Sequence, residues 1–396
     1  MKLSYVIVTH NRCESLLRTI AILYWTTPLP ADDWDVWVVD NASTDDSVES
    51  LRKRFPQVNV IHRRTNEGTP ARNHGIEQSH GRYLILLDDD SYPVDDAAPH
   101  SIAYLDQHPQ TAAVVGRVET IGGRLEACAL PSVLLSGAVC IRRSVLEEVG
   151  GFRREFFRKA GEYDLSFRIW QAGHRIERFE DIVYRHEKVT AGRNAALAYR
   201  MDMRNNLILA DRFLPDSIRR DYRADWSRRY ALLARHAGHR LATVRARAEA
   251  WLWSLREEAL GRTPLDEATT ELIFEFERQA LLVSEWSRRH QIKQVAIAQY
   301  AKNIFATWRA CQASGLDITA VADDHPAMAG HRYRGLPIRP IQDVAADVDG
   351  VVLANTNPAQ IDVHIEHVRE HFAGPILRLW HPRLIDQADQ AALIVA

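Results

Sequence analysis

Cysteine is scarce and scattered. Cys13, Cys128, Cys140 and Cys311 are the only four in 396 residues, with no CxxC pair among them. That excludes a disulfide-stapled scaffold and a structural zinc site. Long hydrophobic runs are missing too: no stretch approaches the roughly 18 apolar residues of a membrane-spanning helix. The opening Met-Lys-Leu-Ser-Tyr-Val leads directly into a strand pattern rather than a targeting segment, so the expected address is the cytoplasm. Neither sign of charge dominates. A formal net charge of -2 gives no basic footprint, so nucleic acid is not an expected partner. Internal repeats and low-complexity segments are absent, and a chain this long is expected to hold two or three domains.

What is present centres on residues 83 to 90, Tyr-Leu-Ile-Leu-Leu-Asp-Asp-Asp. The apolar run suits a buried parallel strand. It stops in three carboxylates, at the C-terminal strand edge where open α/β sheets bind ligands. Adjacent carboxylates repel one another unless they share a cation. Asp88 and Asp90, two apart on an extended segment, point to one side and carry hard oxygens suited to Mg²⁺ or Mn²⁺. A solvated acidic turn running into Ser91, Tyr92 and Pro93 is the competing reading.

Around this stretch, strands alternate with helices. Residues 4 to 9 form a strand ending near His10-Asn11-Arg12, and residues 14 to 24 a helix. Asp35 to Asp40 is a strand followed by helix-capping Ser, Thr and Asp residues, with a helix at about 46 to 55. A third strand, Val58 to His62, precedes Asn66-Glu67-Gly68 and a helix over 70 to 79. The alternation predicts a mostly parallel, doubly wound α/β sheet, and it brings Thr9, Asp40 and the acidic triplet to one crevice. Asp40 suits a base or ribose contact, or a helix cap. Arg72 is either a charge-assisted donor to a diphosphate or a solvated helix arginine.

Further along, a helix is expected over 95 to 108, strands over 112 to 118 and 138 to 143, and a helix stop at Gly150-Gly151. Glu162 and Asp164 begin another helix, where a carboxylate also suits the helix dipole. Two strand runs follow, Arg175 to Phe179 and Ile182 to His186. His186 ends its run as the acids end theirs, as a third metal ligand or as an ordinary imidazole.

In order and spacing, these residues resemble glycosyltransferase family 2, nucleotide-diphospho-sugar transferases of the GT-A fold, over residues 3 to about 214. The matching elements are Val6 to Arg12, Val38 to Asp45, Asn66 to Gly68 with Ala71 to Gly75, and Gly81-Arg82-Tyr83 running into Asp88 to Asp90. Gly150 to Phe152, Glu162 to Leu165 with Arg168, His186, and Arg204-Asn205 before Leu214-Pro215 complete them. The resemblance implies a donor-nucleotide set of Thr9, Asn11, Arg12, Asp40, Asn66, Arg72 and Asp89. It also implies a Mn²⁺ or Mg²⁺ set of Asp88, Asp90 and His186, and inverting transfer with Glu162 as base. Gly161 stands where the family usually has an acid, which keeps Asp164 open as the alternative base.

The expected domains are a GT-A unit over 1 to 214, a helical region over 215 to 290, and a Rossmann-like α/β lobe over 291 to 396. The helical region is rich in arginine and interleaved with Trp226, Tyr230, Trp251 and Trp253. It reads as a solvated or packed face, or as a peripheral contact with an anionic membrane. In the last lobe Gln299 to Asn303 stand where phosphate-binding glycines would follow the first strand. That lobe is therefore expected to serve docking, homo-oligomerisation or regulation. The expected partners are a nucleotide-diphosphate sugar and an acceptor hydroxyl of unknown identity, lipid-linked in some members of the family. The alternative function is a non-catalytic nucleotide-sugar-binding scaffold.

Overall fold

The computed structural model describes residues 2–188, 194–381 and 383–384, so the end of the expected last lobe lies outside the described residues. The chain divides into two compact units. Met1–Ala127 and Ser132–Arg193 are the principal segments of the first, and Asn194–His381 of the second.

In the first unit the order is β1 Leu3–Thr9, α1 Cys13–Thr26, β2 Trp34–Asp40, α2 Ser47–Arg54, β3 Asn59–His62, α3 Arg72–Gln78, β4 Tyr83–Asp88 and β5 Ser91–Pro93. Then come α4 Ala97–Gln107, β6 Thr111–Thr120, β7 Leu125–Glu126, β8 Ala138–Arg142, α5 Arg143–Val149, α6 Gly161–Gln171 and β9 Arg175–His186. The sheet order is β3-β2-β1-β4-β8-β6-β9-β5, with β7 on β6. Parallel pairing links β3, β2, β1 and β4, and again β6 and β9, while β8, β5 and β7 run the other way. The mixed α/β architecture with a mostly parallel sheet is the one the sequence implies.

The core follows from the apolar runs. Tyr83 to Leu87 of β4 are fully buried, as are Tyr5 and Ile7 of β1 and Val36 and Val38 of β2. Burying each large aliphatic side chain contributes roughly 1.5–3 kcal/mol, so β4 is anchored by its apolar residues right up to its acidic end.

Two local expectations need correction. The helix expected over 70 to 79 opens with a 3-10 turn, Thr69–Ala71, and is α-helical only over Arg72–Gln78. The two strand runs expected between Arg175 and His186 are one strand. Its pairing with β6 shifts register between Val115 and Arg117 and then resumes to His186. The shift falls at Gly116, where an added Cβ would lie 2.3 Å from the Ile182 carbonyl oxygen. Backbone approach that close needs a glycine.

The second unit opens with helices α7 Ala195–Phe213, α8 Asp216–His236, α9 Arg240–Leu260, α10 Glu267–Phe274 and α11 Phe276–His290. Two of the breaks fall at Pro215 and at Gly261, whose φ of 77° ends α9; the others fall at Gly238 and Glu275, also at positive φ. An α/β lobe follows: β10 Gln294–Ala298, α12 Ile304–Ala313, β11 Asp317–Ala322, β12 Arg332–Tyr333, β13 Leu336–Arg339, α13 Ile341–Val344, β14 Gly350–Leu353, α14 Ile361–Arg369 and β15 Ile376–Leu377. Its sheet runs β12-β13-β11-β10-β14-β15, parallel except for β12. The parallel strands reverse direction of growth at β10, as in doubly wound dinucleotide folds. Helix α12 starts at Ile304, after Gln299 at φ 75° turns the chain out of β10.

Candidate active site

Register alone gathers the acidic groups. Thr9 pairs with Asp40 across β1 and β2, and Val8 pairs with Asp88 across β1 and β4, so three strand ends present polar side chains along one edge. The chain then turns through Asp89 and Asp90 into β5. There Ser91 pairs with His186 of the antiparallel β9, which sets the imidazole beside Asp90.

Asp88, Asp90 and His186 offer donor atoms that all lie within 4.8 Å of one another. Two hard carboxylate oxygens and an imidazole nitrogen fit a divalent cation such as Mn²⁺. Asp90 is buried and Asp88 half-exposed, which leaves the group open on one side. His186 Nε2 lies 3.1 Å from Asp90 Oδ1, and its Nδ1 lies 2.5 Å from Glu126 Oε2. Burial opposes the charged imidazole, but its hydrogen bonds to Asp90 and Glu126 prevail and lift its pKa to about 10. The His186 contact, with Lys188 beside it, pulls Glu126 down to about 2. A carboxylate behind a ligating histidine fixes its ring, a pairing common at metal centres.

Asp89 points inward. Thr9 Oγ1 donates to its Oδ2 at 2.8 Å, and Arg12 Nη1 reaches its Oδ1 at 3.0 Å and Asp90 Oδ2 at 3.1 Å. Ser15 and Thr19 of α1 donate to its carbonyl oxygen. Burial raises its pKa to about 6 despite the nearby Arg12 charge. Asp89 thus ties the acidic turn to α1. The buried Arg72 donates to the Asp88 carboxylate and to the Leu87 carbonyl.

The other expected nucleotide contacts sit in neighbouring loops. Asp40 is buried between His62 Nδ1 at 2.6 Å and the Ser43 amide at 3.2 Å. Asn11, at φ 55°, accepts from the Thr44 amide at 2.7 Å. Asn66 Oδ1 accepts from Asn41 Nδ2 and from the Gly68 amide. These bonds fix the loops after β1, β2 and β3 to one another.

The two candidate bases have opposite settings. Asp164 is fully buried, bound by Arg168 Nε at 2.9 Å and Nη2 at 2.8 Å, with Arg153 at 3.5 Å. Arg168 also donates to the carbonyls of Val149, Gly150 and Gly151, so the pair clamps the end of α5 to α6. Glu162 is only partly buried, and its carboxylate accepts a hydrogen bond from Ser136 Oγ at 2.9 Å. The next residue, Gly137, lies against Asp88: an added Cβ there would be 2.7 Å from Asp88 Oδ2. Its carbonyl accepts from Ser91 Oγ at 2.7 Å. Residues 136 and 137 therefore join Glu162 to the acidic turn.

Glu126, Ser136 and Gly137 escape sequence reasoning because each acts through a fold contact far away in the chain. The one available signal was the Gly122-Gly123 turn, which closes the β6-β7 hairpin that delivers Glu126.

The family model for glycosyl transferase family 2 matches residues 4–130. The poly(ribitol-phosphate) beta-glucosyltransferase of Bacillus spizizenii is 30% identical over 129 residues, covering 31% of this chain and 20% of that protein. The poly(ribitol-phosphate) beta-N-acetylglucosaminyltransferase TarS of Staphylococcus aureus is 27% identical over 131 residues, again 31% of this chain and 22% of that protein. The chain thus spans about a fifth of these two relatives' length. Glycosyltransferase AglE of Haloferax volcanii is 24% identical over 210 residues, 46% of this chain and 66% of that protein. Among solved structures, S. aureus TarS 1-349 aligns over 78% of this chain and 89% of its own, at 17% identity and a TM-score of 0.49. The match to the glycosyl transferase family 2 model thus spans β1 to β7 and the acidic turn.

Proposed function

We propose that the chain transfers a sugar from a nucleotide-diphosphate donor to an acceptor hydroxyl on a cell-surface polymer, glycolipid or glycoconjugate, by an inverting, cation-dependent displacement. The observation that carries this reading is the convergence of Asp88, Asp90 and His186 at the strand edge of a family 2 segment. The names of the relatives, which act on poly(ribitol-phosphate), support a polymeric acceptor. Asp88, Asp90 and His186 would hold Mg²⁺ or Mn²⁺, which supplies positive charge against that growing on the departing diphosphate.

The protein's own groups do the rest. Glu162 takes the proton as the acceptor oxygen bonds to the anomeric carbon and the bond to the diphosphate oxygen breaks. Its partial exposure, with the carboxylate held by Ser136 among the described residues, leaves it room to do so. Asp164, clamped by two arginines, instead positions the start of α6. Arg12 and Arg72 bring fixed positive charge beside the acidic turn, where a donor diphosphate needs it.

Incubating the protein with UDP-, GDP- and dTDP-sugars and Mn²⁺ tests the reading through release of the nucleoside diphosphate, with and without added polyol-phosphate polymer. Release from one donor, lost in Asp90→Ala, is expected. Tight donor binding with no release or transfer under any condition would favour the scaffold reading.

A further inference from the structure

The second unit carries an apolar surface that the transfer reaction does not use. On α9, Thr243, Ala246 and Ala250 face inward, the two alanines packing with Met203 and Leu207 of α7. Large apolar residues crowd the opposite face: Leu241, Val244, Trp251, Leu252 and Leu255 are 75%, 54%, 58%, 60% and 46% exposed. At 100° per residue they fall within an arc roughly 100° wide. Small residues inside and large ones outside invert the usual arrangement of a surface helix.

Both edges of the arc are basic. Arg240 and Arg247 border one side, and Arg245 and Arg256 the other. None of the four is paired with a carboxylate among the described residues: Arg247 bonds Ser227, and Arg256 stacks on Trp253. The helix's acids are largely spent elsewhere. Glu249 pairs with Arg200 and Arg204, and Glu257 with Arg212, leaving Glu258 as the one acid of α9 without an ion pair among the described residues.

We propose that this face of α9 lies in the interface of an anionic membrane. The arc would enter the boundary between headgroups and acyl chains, and the four arginines would reach lipid phosphates from both edges. Charge decides between this occupant and a second copy of the chain. Two α9 helices paired along their arcs would set arginine rows against arginine rows, with only Glu258 to offset them, whereas an anionic lipid surface complements both edges. No described helix is long and apolar enough to cross a membrane, so the contact is in-plane.

The test is co-sedimentation of the full chain with vesicles of pure phosphatidylcholine and of phosphatidylcholine mixed with phosphatidylglycerol. The wild type is compared with Leu252→Glu/Leu255→Glu and with Arg245→Glu/Arg256→Glu, and circular dichroism of each variant verifies folding. Binding should occur only with the anionic vesicles, weaken at least about tenfold in both variants, and fall steeply in about 0.5 M salt. Unchanged binding in the folded variants, or none by the wild type, would overturn the proposal. So would a wild-type dimer in sedimentation equilibrium that Leu252→Glu/Leu255→Glu converts to monomer, because it would place a second copy on the arc.

Discussion

Ser136 donates to Glu162 at 2.9 Å, and so links the candidate base to the segment whose next residue touches Asp88. Replacing Ser136 with alanine leaves Glu162 free to rotate. Turnover should fall roughly tenfold with donor KM nearly unchanged, the signature of an interaction felt in the transition state. Steady-state kinetics with varied donor and saturating acceptor would check it; a rise in KM at constant kcat would place Ser136 in donor binding instead.

Glu162 and Asp164 should part company under conservative substitution. Glu162→Gln is expected to cost roughly 10²–10⁴ in turnover while preserving melting temperature and nucleotide affinity. Asp164→Asn weakens a buried, doubly paired carboxylate and should lower stability by about 3 kcal/mol. Thermal melts beside activity assays separate the two; equal melting temperatures would contradict the clamp role of Asp164.

Gly137→Ala places a methyl group against the Asp88 carboxylate, which must swing away. The Mn²⁺ concentration for half-maximal activity should rise, with little change in melting temperature. Glu126→Gln should have a similar but milder effect, roughly 10-fold in metal affinity, by loosening His186. Titrating Mn²⁺ against each variant tests both.

A buried carboxylate in the second unit gives a pH signature apart from the site. Burial raises Asp225 to about 6, although Arg334 and Tyr333 favour its charged form. The raised folded-state value means that its contribution is fully present below pH about 4 and is lost as pH rises through about 6. Asp225→Asn cannot ionise and still accepts from Tyr333. Between pH 4 and pH 7 the variant's stability relative to wild type should therefore rise, by on the order of 2–3 kcal/mol. Denaturant melts at the two pH values measure the gap, and a constant gap would contradict the assignment.

Much of the scaffold was legible because β1, β2 and β4 are continuous apolar runs that end in polar residues, so period and punctuation gave both the strands and their functional edge. The grouping of Asp88, Asp90 and His186 was legible because all three lie at strand ends on one edge. It was hidden where a side chain's job depends on what folds against it. Asp89 and Asp90 look alike in sequence, yet Asp89 turns inward to Thr9 and Arg12 while Asp90 faces His186. Asp164 and Glu162 share one helical turn, and only the packing of Arg168 reveals which is clamped. The outward apolar face of α9 was masked by its inner alanines, which make both sides of the helix read as apolar.

The measurement that bears most directly on the account is calorimetric titration of UDP, GDP and dTDP, each with and without Mn²⁺, into the wild type and Asp90→Ala. One nucleotide should bind only with Mn²⁺, and Asp90→Ala should abolish that binding while remaining folded. Binding of equal strength without the cation, or undiminished in Asp90→Ala, would contradict a metal-held donor at the acidic turn.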